Sequence, residues 1–192
     1  PDPGVRFLAA KWVSDEKLTA FRPQVADALK DPALDPRGFV ALATTLARLD
    51  DKPVSDDALA DFALGRLADR TASAANRLVA LRAVPGGHKK LTTDDLLALL
   101  KQPDPGFRVE ALRALKERGD RKAAEAVRGV AADATHPQAV RTQALVALAE
   151  FGDADIGFLM QLATGIEDRL RDEAMRALTG EKLTAVQQVM LA

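Results

Sequence analysis

The chain has 192 residues, 47% of them hydrophobic, which is enough apolar material for a buried core and argues against a disordered polypeptide. Its 27 basic and 28 acidic residues leave a net charge of -1, spread evenly over both halves, which argues against a basic nucleic-acid-binding domain or an acidic tail. It contains no cysteine, so disulfides, thiolate nucleophiles and Cys-ligated metal sites are excluded within it.

Ala and Leu dominate the apolar residues, whereas aromatic residues make up only 4% of the chain, and this composition favours helices throughout. The longest apolar runs, such as residues 144–149, are far shorter than the ~20 residues needed to cross a bilayer. The sequence therefore predicts an all-α protein without membrane insertion.

Amphipathic spacing and turn residues predict eleven helices. We expect Ser14, Ser55, Thr92 or Thr93, Asp120 and Asp153 to act as N-caps. Pro23 should kink or delay the helix that contains it. The stripe in 105–118 places Arg108, Glu110, Arg113 and Glu117 on the outside. In chain order the predicted helices are 4–13, 15–30, 37–49, 55–69, 71–84, 94–101, 105–118, 120–132, 137–150, 153–163 and 167–179.

The chain repeats itself with a period near 33 residues. The segment Pro1-Asp2-Pro3-Gly4-Val5-Arg6 recurs at 103–108, and residues 108–115, 141–148 and 171–178 align with one another. Each repeat contains two short amphipathic helices, and such a pair cannot bury its apolar face alone. We therefore predict an α-solenoid of about six stacked helical pairs.

The pattern Asp-Pro-x-x-Arg-x-x-Ala-x-x-Ala-Leu on the second helix of a pair resembles the HEAT-like repeats of the bacterial phycobilin-lyase type. The resemblance implies a right-handed superhelix whose second helices line the concave face. It also implies a ladder of hydrogen bonds between Asp and Arg along the repeats, although the repeats at 37 and 71 depart from the pattern. The expected ladder residues are Asp2 with Arg6, Asp104 with Arg108, Arg141, and Glu167 with Arg171.

A narrower resemblance concerns residues 6–18. They are similar to the helical region of large exported bacterial proteins that place HEAT-like repeats between a β-propeller and a C-terminal cytochrome c domain. The resemblance implies an exported or periplasmic location. Because the chain also begins without a methionine, we interpret 1–192 as one HEAT-like repeat domain from a longer protein.

A second set of basic residues lies on the outer side of the second helices, where the family geometry would direct them into the concave groove. Acidic residues lie beside this set, so we predict a mixed-sign protein interface and no nucleic-acid groove. The alternative is that these residues are ordinary solvated charges, which keep a helical stack soluble. The predicted protein-binding residues are Lys11, Arg82, Arg113, Lys116 and Arg176.

No catalytic or cofactor-binding constellation is visible in the sequence. His88 and His136 lack ligand-spaced partners, so we predict loop or capping roles and no metal site. Trp12 could be a stacking platform, but we expect it to pack between the first two pairs. The sequence thus favours a non-catalytic scaffold for protein or interdomain contacts. The alternative is a lyase-like or glycosylase-like enzyme that holds a small molecule or base in the groove, and the oligomeric state is left open.

Overall fold

The computed structural model describes residues 2–151, 155–179, 181 and 183–190. This part of the chain contains twelve α-helices and no β-strand, which confirms the predicted all-α class. The chain divides into two compact units, Pro1–Leu91 and Thr92–Ala192. The single domain over 1–192 and the right-handed superhelix stay predictions.

The helices lie close to their predicted positions. None of those in the described ranges is long and apolar enough to cross a lipid bilayer. The first unit contains α1 (Pro3–Asp15), α2 (Arg22–Ala28), α3 (Pro36–Leu49), α4 (Asp56–Ala68) and α5 (Ala74–Ala83). The second unit contains α6 (Thr93–Leu99), α7 (Pro105–Arg118), α8 (Ala124–Ala132), α9 (Gln138–Phe151), α10 (Ile156–Ala163), α11 (Asp168–Leu178) and α12 (Ala185–Met190).

Each unit has the paired-helix packing of an α-solenoid. The odd-numbered helices are the second helices of the pairs, and they pack on one another as α1 on α3 and α3 on α5, then as α7 on α9 and α9 on α11. Each even-numbered helix from α2 to α10 packs against the second helix that follows it. The second helices of a unit therefore form one continuous layer, called here the second-helix layer.

Several helices begin as the sequence predicted. The Ser55 side chain accepts the Ala58 N–H, and Thr92 forms a capping box with Asp95. Pro23 delays α2, which starts only at Arg22 after a short 3-10 turn. The cap predicted at Ser14 is wrong, because α1 continues through it to Asp15 and buries it.

The N-cap of α10 is Asp155, whose carboxylate accepts the Phe158 N–H. The predicted cap Asp153 lies outside the described residues.

The core consists of Leu, Ala, Val and Phe side chains from both helices of each pair. In α7, Ala111, Leu112, Ala114 and Leu115 are fully buried, as the helical stripe predicts. Glu110 was expected outside but is only 9% exposed. Its burial is possible because Arg113 Nε donates a 2.8 Å hydrogen bond to its carboxylate.

Trp12 does not pack between helical pairs, and that prediction is wrong. Its side chain is 60% exposed and lies on one face of α1 with the equally exposed Val5 and Leu8. α3 contacts the opposite side of α1, where Ala10 and Val13 are buried. Spacings of three and four residues place all three exposed side chains on the uncovered stripe.

Candidate functional site

A recurring arginine near the start of the second helices has a structural role. It is the fourth residue of the helix in α5, α7 and α9, as Arg77, Arg108 and Arg141. Their Nε atoms donate hydrogen bonds of 2.9, 2.7 and 3.0 Å to the carbonyls of Leu67, Gln102 and Ala131. These carbonyls lie at or just beyond the end of the preceding helix, where the main chain lacks helical partners.

The acid-arginine pairings expected for the ladder differ in the structure. The carboxylates of Asp2 and Asp104 cap α1 and α7 by accepting backbone N–H groups, which turns them away from the arginines one turn later. Arg6 instead pairs with Asp31 at 2.7 Å. The backbone N–H of Ala33 and this guanidinium together lower the pKa of Asp31.

Arg141 Nη1 lies 2.6 and 2.9 Å from the two carboxylate oxygens of Glu167, the residue that precedes α11. This contact joins consecutive second helices. The expected partner of Glu167, Arg171, pairs with Asp168 at 2.6 Å. Arg141 therefore takes the place at Glu167 that was expected for Arg171.

Arg108 has a further partner that the sequence did not suggest. Its Nη1 lies 2.9 Å from Nδ1 of His136, in the loop before α9. His88 is buried in the turn-rich segment before α6, with Nε2 3.6 Å from Asp57. In the described residues no group of three or more His, Cys, Asp or Glu side chains could hold a metal ion.

Three of the predicted binding residues lie in the second unit, and two of them contact neighbouring acids. Arg113 lies between Glu110 and Glu117 and donates to both. Burial opposes the charge of Arg113, but these hydrogen bonds outweigh it and raise its pKa. Arg176 pairs with Glu173 at 2.7 Å. Lys116 is half-buried on α7.

The other two predicted residues, Lys11 and Arg82, line the same groove in the first unit. This groove has a volume of about 690 Å³ and crosses the second-helix layer over α1, α3 and α5. Its lining residues are Phe7, Lys11, Ser14, Asp15, Pro36, Arg37, Val40, Ala41, Thr44, Thr45, Arg48, Arg82 and Ala83. We call this the α1/α3/α5 groove.

Two further arginines of the groove, Arg37 and Arg48, were missed by the sequence analysis. The guanidinium of Arg37 lies over the Phe7 ring at 4.2 Å from its centroid, within the range of a cation-π contact. Arg48 reaches back to α1, where Nη1 lies 3.3 Å from Ser14 Oγ and 3.5 Å from Asp15. Both belong to α3, whose repeat is one of the two that depart from the arginine pattern.

Comparison with known protein families agrees with the paired helices. Residues 93–179, which contain α6 to α11, match the family model described as HEAT repeats. No curated protein matches the chain. HEAT repeats generally form extended binding surfaces for other proteins. The match thus supports a HEAT-like repeat architecture for the second unit.

Proposed function

We propose that this chain is a non-catalytic HEAT-like scaffold that binds a protein, or neighbouring domains of its own parent chain, through the second-helix layer. The single observation that carries the proposal is the α1/α3/α5 groove. It is built from three consecutive second helices and collects Lys11 and Arg82, two residues selected from the sequence as binding residues.

The charges of the groove support binding rather than chemistry. Asp15 is the one carboxylate among its lining residues, and both Lys11 and Arg48 contact it. A general base needs a carboxylate that is free to accept a proton from substrate. The guanidinium and ammonium groups around the groove suit recognition of a partner by charge.

Site-specific photocrosslinking tests which layer binds. A photoreactive phenylalanine would replace Lys11 or Lys116 in the second-helix layer, and Asp56 or Glu125 in the first helices as matched controls. In an extract of the source cells, the second-helix positions should label a specific polypeptide, identified by mass spectrometry, and the control in the same unit should not. Labelling that occurs only from the first helices would contradict the proposal.

A small-molecule enzyme of the lyase or glycosylase type is the second candidate. It is favoured by the groove volume of about 690 Å³, which falls within the ~300–1,000 Å³ of typical ligand sites. A ligand that binds only the folded state raises the melting temperature. Thermal-shift screening against haem, other tetrapyrroles and oligonucleotides distinguishes the two candidates, because the scaffold should show no shift with any of them.

The interdomain form of the proposal includes the suggested parent, an exported bacterial protein with a β-propeller and a cytochrome domain. It is supported by the resemblance of residues 6–18 to the helical region of such proteins. The sequence of the full-length gene tests this form directly. Flanking regions without either domain would refute this parent and leave binding to a separate protein.

A further inference from the structure

The α1/α3/α5 groove has a larger excess of basic over acidic residues than the first unit as a whole. Residues 1–91 contain fourteen basic and twelve acidic residues, so the unit is close to neutral. Among the thirteen residues that line the groove, four are basic and one is acidic. The groove therefore attracts negative charge, whereas the rest of the unit is balanced.

The carboxylate that lines the groove carries one charge and is shared by two cations. Asp15 is shared between Lys11 and Arg48, both on the rim. Arg37 lies over the apolar ring of Phe7, and an aromatic face supplies no carboxylate to pair with its guanidinium. A ligand with several carboxylates would supply the missing acceptors.

Between these charges the groove is lined in part by apolar side chains. Val40, 38% exposed, and Ala41 come from α3, and Ala83 comes from α5. An aliphatic side chain of a ligand could be buried there, while carboxylates on either side of it reach the rim. This combination suits a polypeptide that carries both acidic and aliphatic residues.

The shape of the groove suits an extended segment. Arg37 and Arg48 stand eleven residues apart on α3, which at ~1.5 Å per residue is about 16 Å along its axis. An extended chain advances ~3.3 Å per residue, so about five residues lying along α3 would reach from one arginine to the other. Single-stranded nucleic acid fits less well, because base stacking needs free aromatic faces and Arg37 covers the ring of Phe7.

We propose that the α1/α3/α5 groove binds an extended acidic segment of a protein partner, with an aliphatic side chain on Val40 and Ala41 and carboxylates at Arg37, Arg48 and Lys11. This inference rests on the proposed scaffold function. It adds the chemistry of the partner, which the scaffold function alone leaves open.

Fluorescence anisotropy with a defined probe tests the inference. The probe is a fluorescein-labelled peptide of about twelve residues, rich in Glu and Asp, with two Leu. Its controls are the same peptide with Gln and Asn in place of the acids, and a labelled oligothymidine of equal length. We expect the acidic peptide to bind at least about tenfold more tightly than either control, and its affinity to fall about tenfold between low and moderate salt.

Variants locate the site. Arg37→Glu and Arg48→Glu should each weaken acidic peptide binding about tenfold. Lys30→Glu makes the same change of charge at an exposed position of the first unit outside the groove, and should change binding less than about twofold. Circular dichroism of each variant confirms that the helices are retained.

The inference is overturned if the acidic peptide does not bind, if the oligothymidine binds as tightly, or if Lys30→Glu weakens binding as much as Arg37→Glu. Photocrosslinking distinguishes this failure from failure of the scaffold function. Labelling from Lys11 and Lys116 without acidic peptide binding would refute only the partner chemistry. If neither photocrosslinking from these positions nor binding of the acidic peptide is observed, the scaffold function and the partner chemistry are both refuted.

Discussion

Replacement of Arg141 by methionine should destabilise the second unit by about 3 kcal/mol. The residue is only 6% exposed, and its Nε donates to the buried end of α8 at Ala131. A hydrogen bond from a charged donor contributes ~1.5–3 kcal/mol, and its removal leaves the carbonyl without that donor. The pair with Glu167 adds only ~0.5–1 kcal/mol, because that carboxylate is 44% exposed and screened by water.

Chemical denaturation followed by circular dichroism measures this loss, and hydrogen exchange should locate it in α8, α9 and α11. Arg171→Met is the matched control, because Arg171 has the same position in the next second helix. Its side chain is 41% exposed and its partner Asp168 is 79% exposed. Arg171→Met should therefore lower the free energy of unfolding by no more than ~0.5 kcal/mol.

The double variant Arg141→Met with Glu167→Gln separates the two contributions. If the carbonyl contact dominates, the coupling energy of the pair should stay below ~1 kcal/mol, much less than the full effect. A loss below ~1 kcal/mol for Arg141→Met alone would refute the structural role of this arginine. Equal losses in Arg141→Met and Arg171→Met would also refute it, since burial would then have no influence.

Three further predictions concern other parts of the chain. Gly129 lies inside α8 with open space around an added Cβ, so Gly129→Ala should raise the free energy of unfolding by ~0.5–1 kcal/mol. Gly119 ends α7 at φ +65°, so Gly119→Ala should lower the free energy of unfolding by ~1 kcal/mol in the same denaturation assay. Hydrogen bonds from Arg22 and Lys52 lower the pKa of Asp50 to about 2, compared with ~3.9 in an unfolded chain. The stability from this carboxylate is therefore present above about pH 4 and lost toward about pH 2, and the deficit in melting temperature of Arg22→Gln should disappear over that range. Iodide and acrylamide should readily quench Trp12 in the folded protein, and a blue-shifted, protected emission would contradict its exposure.

The repeat and the helices could be predicted from the sequence because both depend on local patterns. Asp-Pro pairs start helices by a side-chain cap and a fixed φ, and apolar spacing identifies the buried face. The position of Trp12 was predicted wrongly because α1 has apolar residues on two faces. Their spacing does not show which of the two faces another helix covers. Only the packing of α1 against α3 identifies Ala10 and Val13 as the covered side.

The pairing of the arginines could not be predicted for a different reason. A spacing of four residues makes an ion pair possible, but Asp2 and Asp104 accept the N–H groups of their own helices. The alternative partners lie far away in sequence, as Asp31 does for Arg6. Arg37 and Arg48 were missed because their helix carries Phe39 where the other second helices of the first unit carry arginine.

Position within the helix separates the arginines that bond to backbone carbonyls from the basic residues proposed for partner binding. Counted from the residue before each second helix, Arg77 and Arg108 stand at the fourth place and turn to the backbone of their own pair. Lys11, Arg82 and Arg113 stand at the ninth place. Five residues at ~100° each amount to about 140° around the axis, so the two positions face different sides. The fourth place stabilises the pair, and the ninth place gives the first unit two of the four cations of its groove.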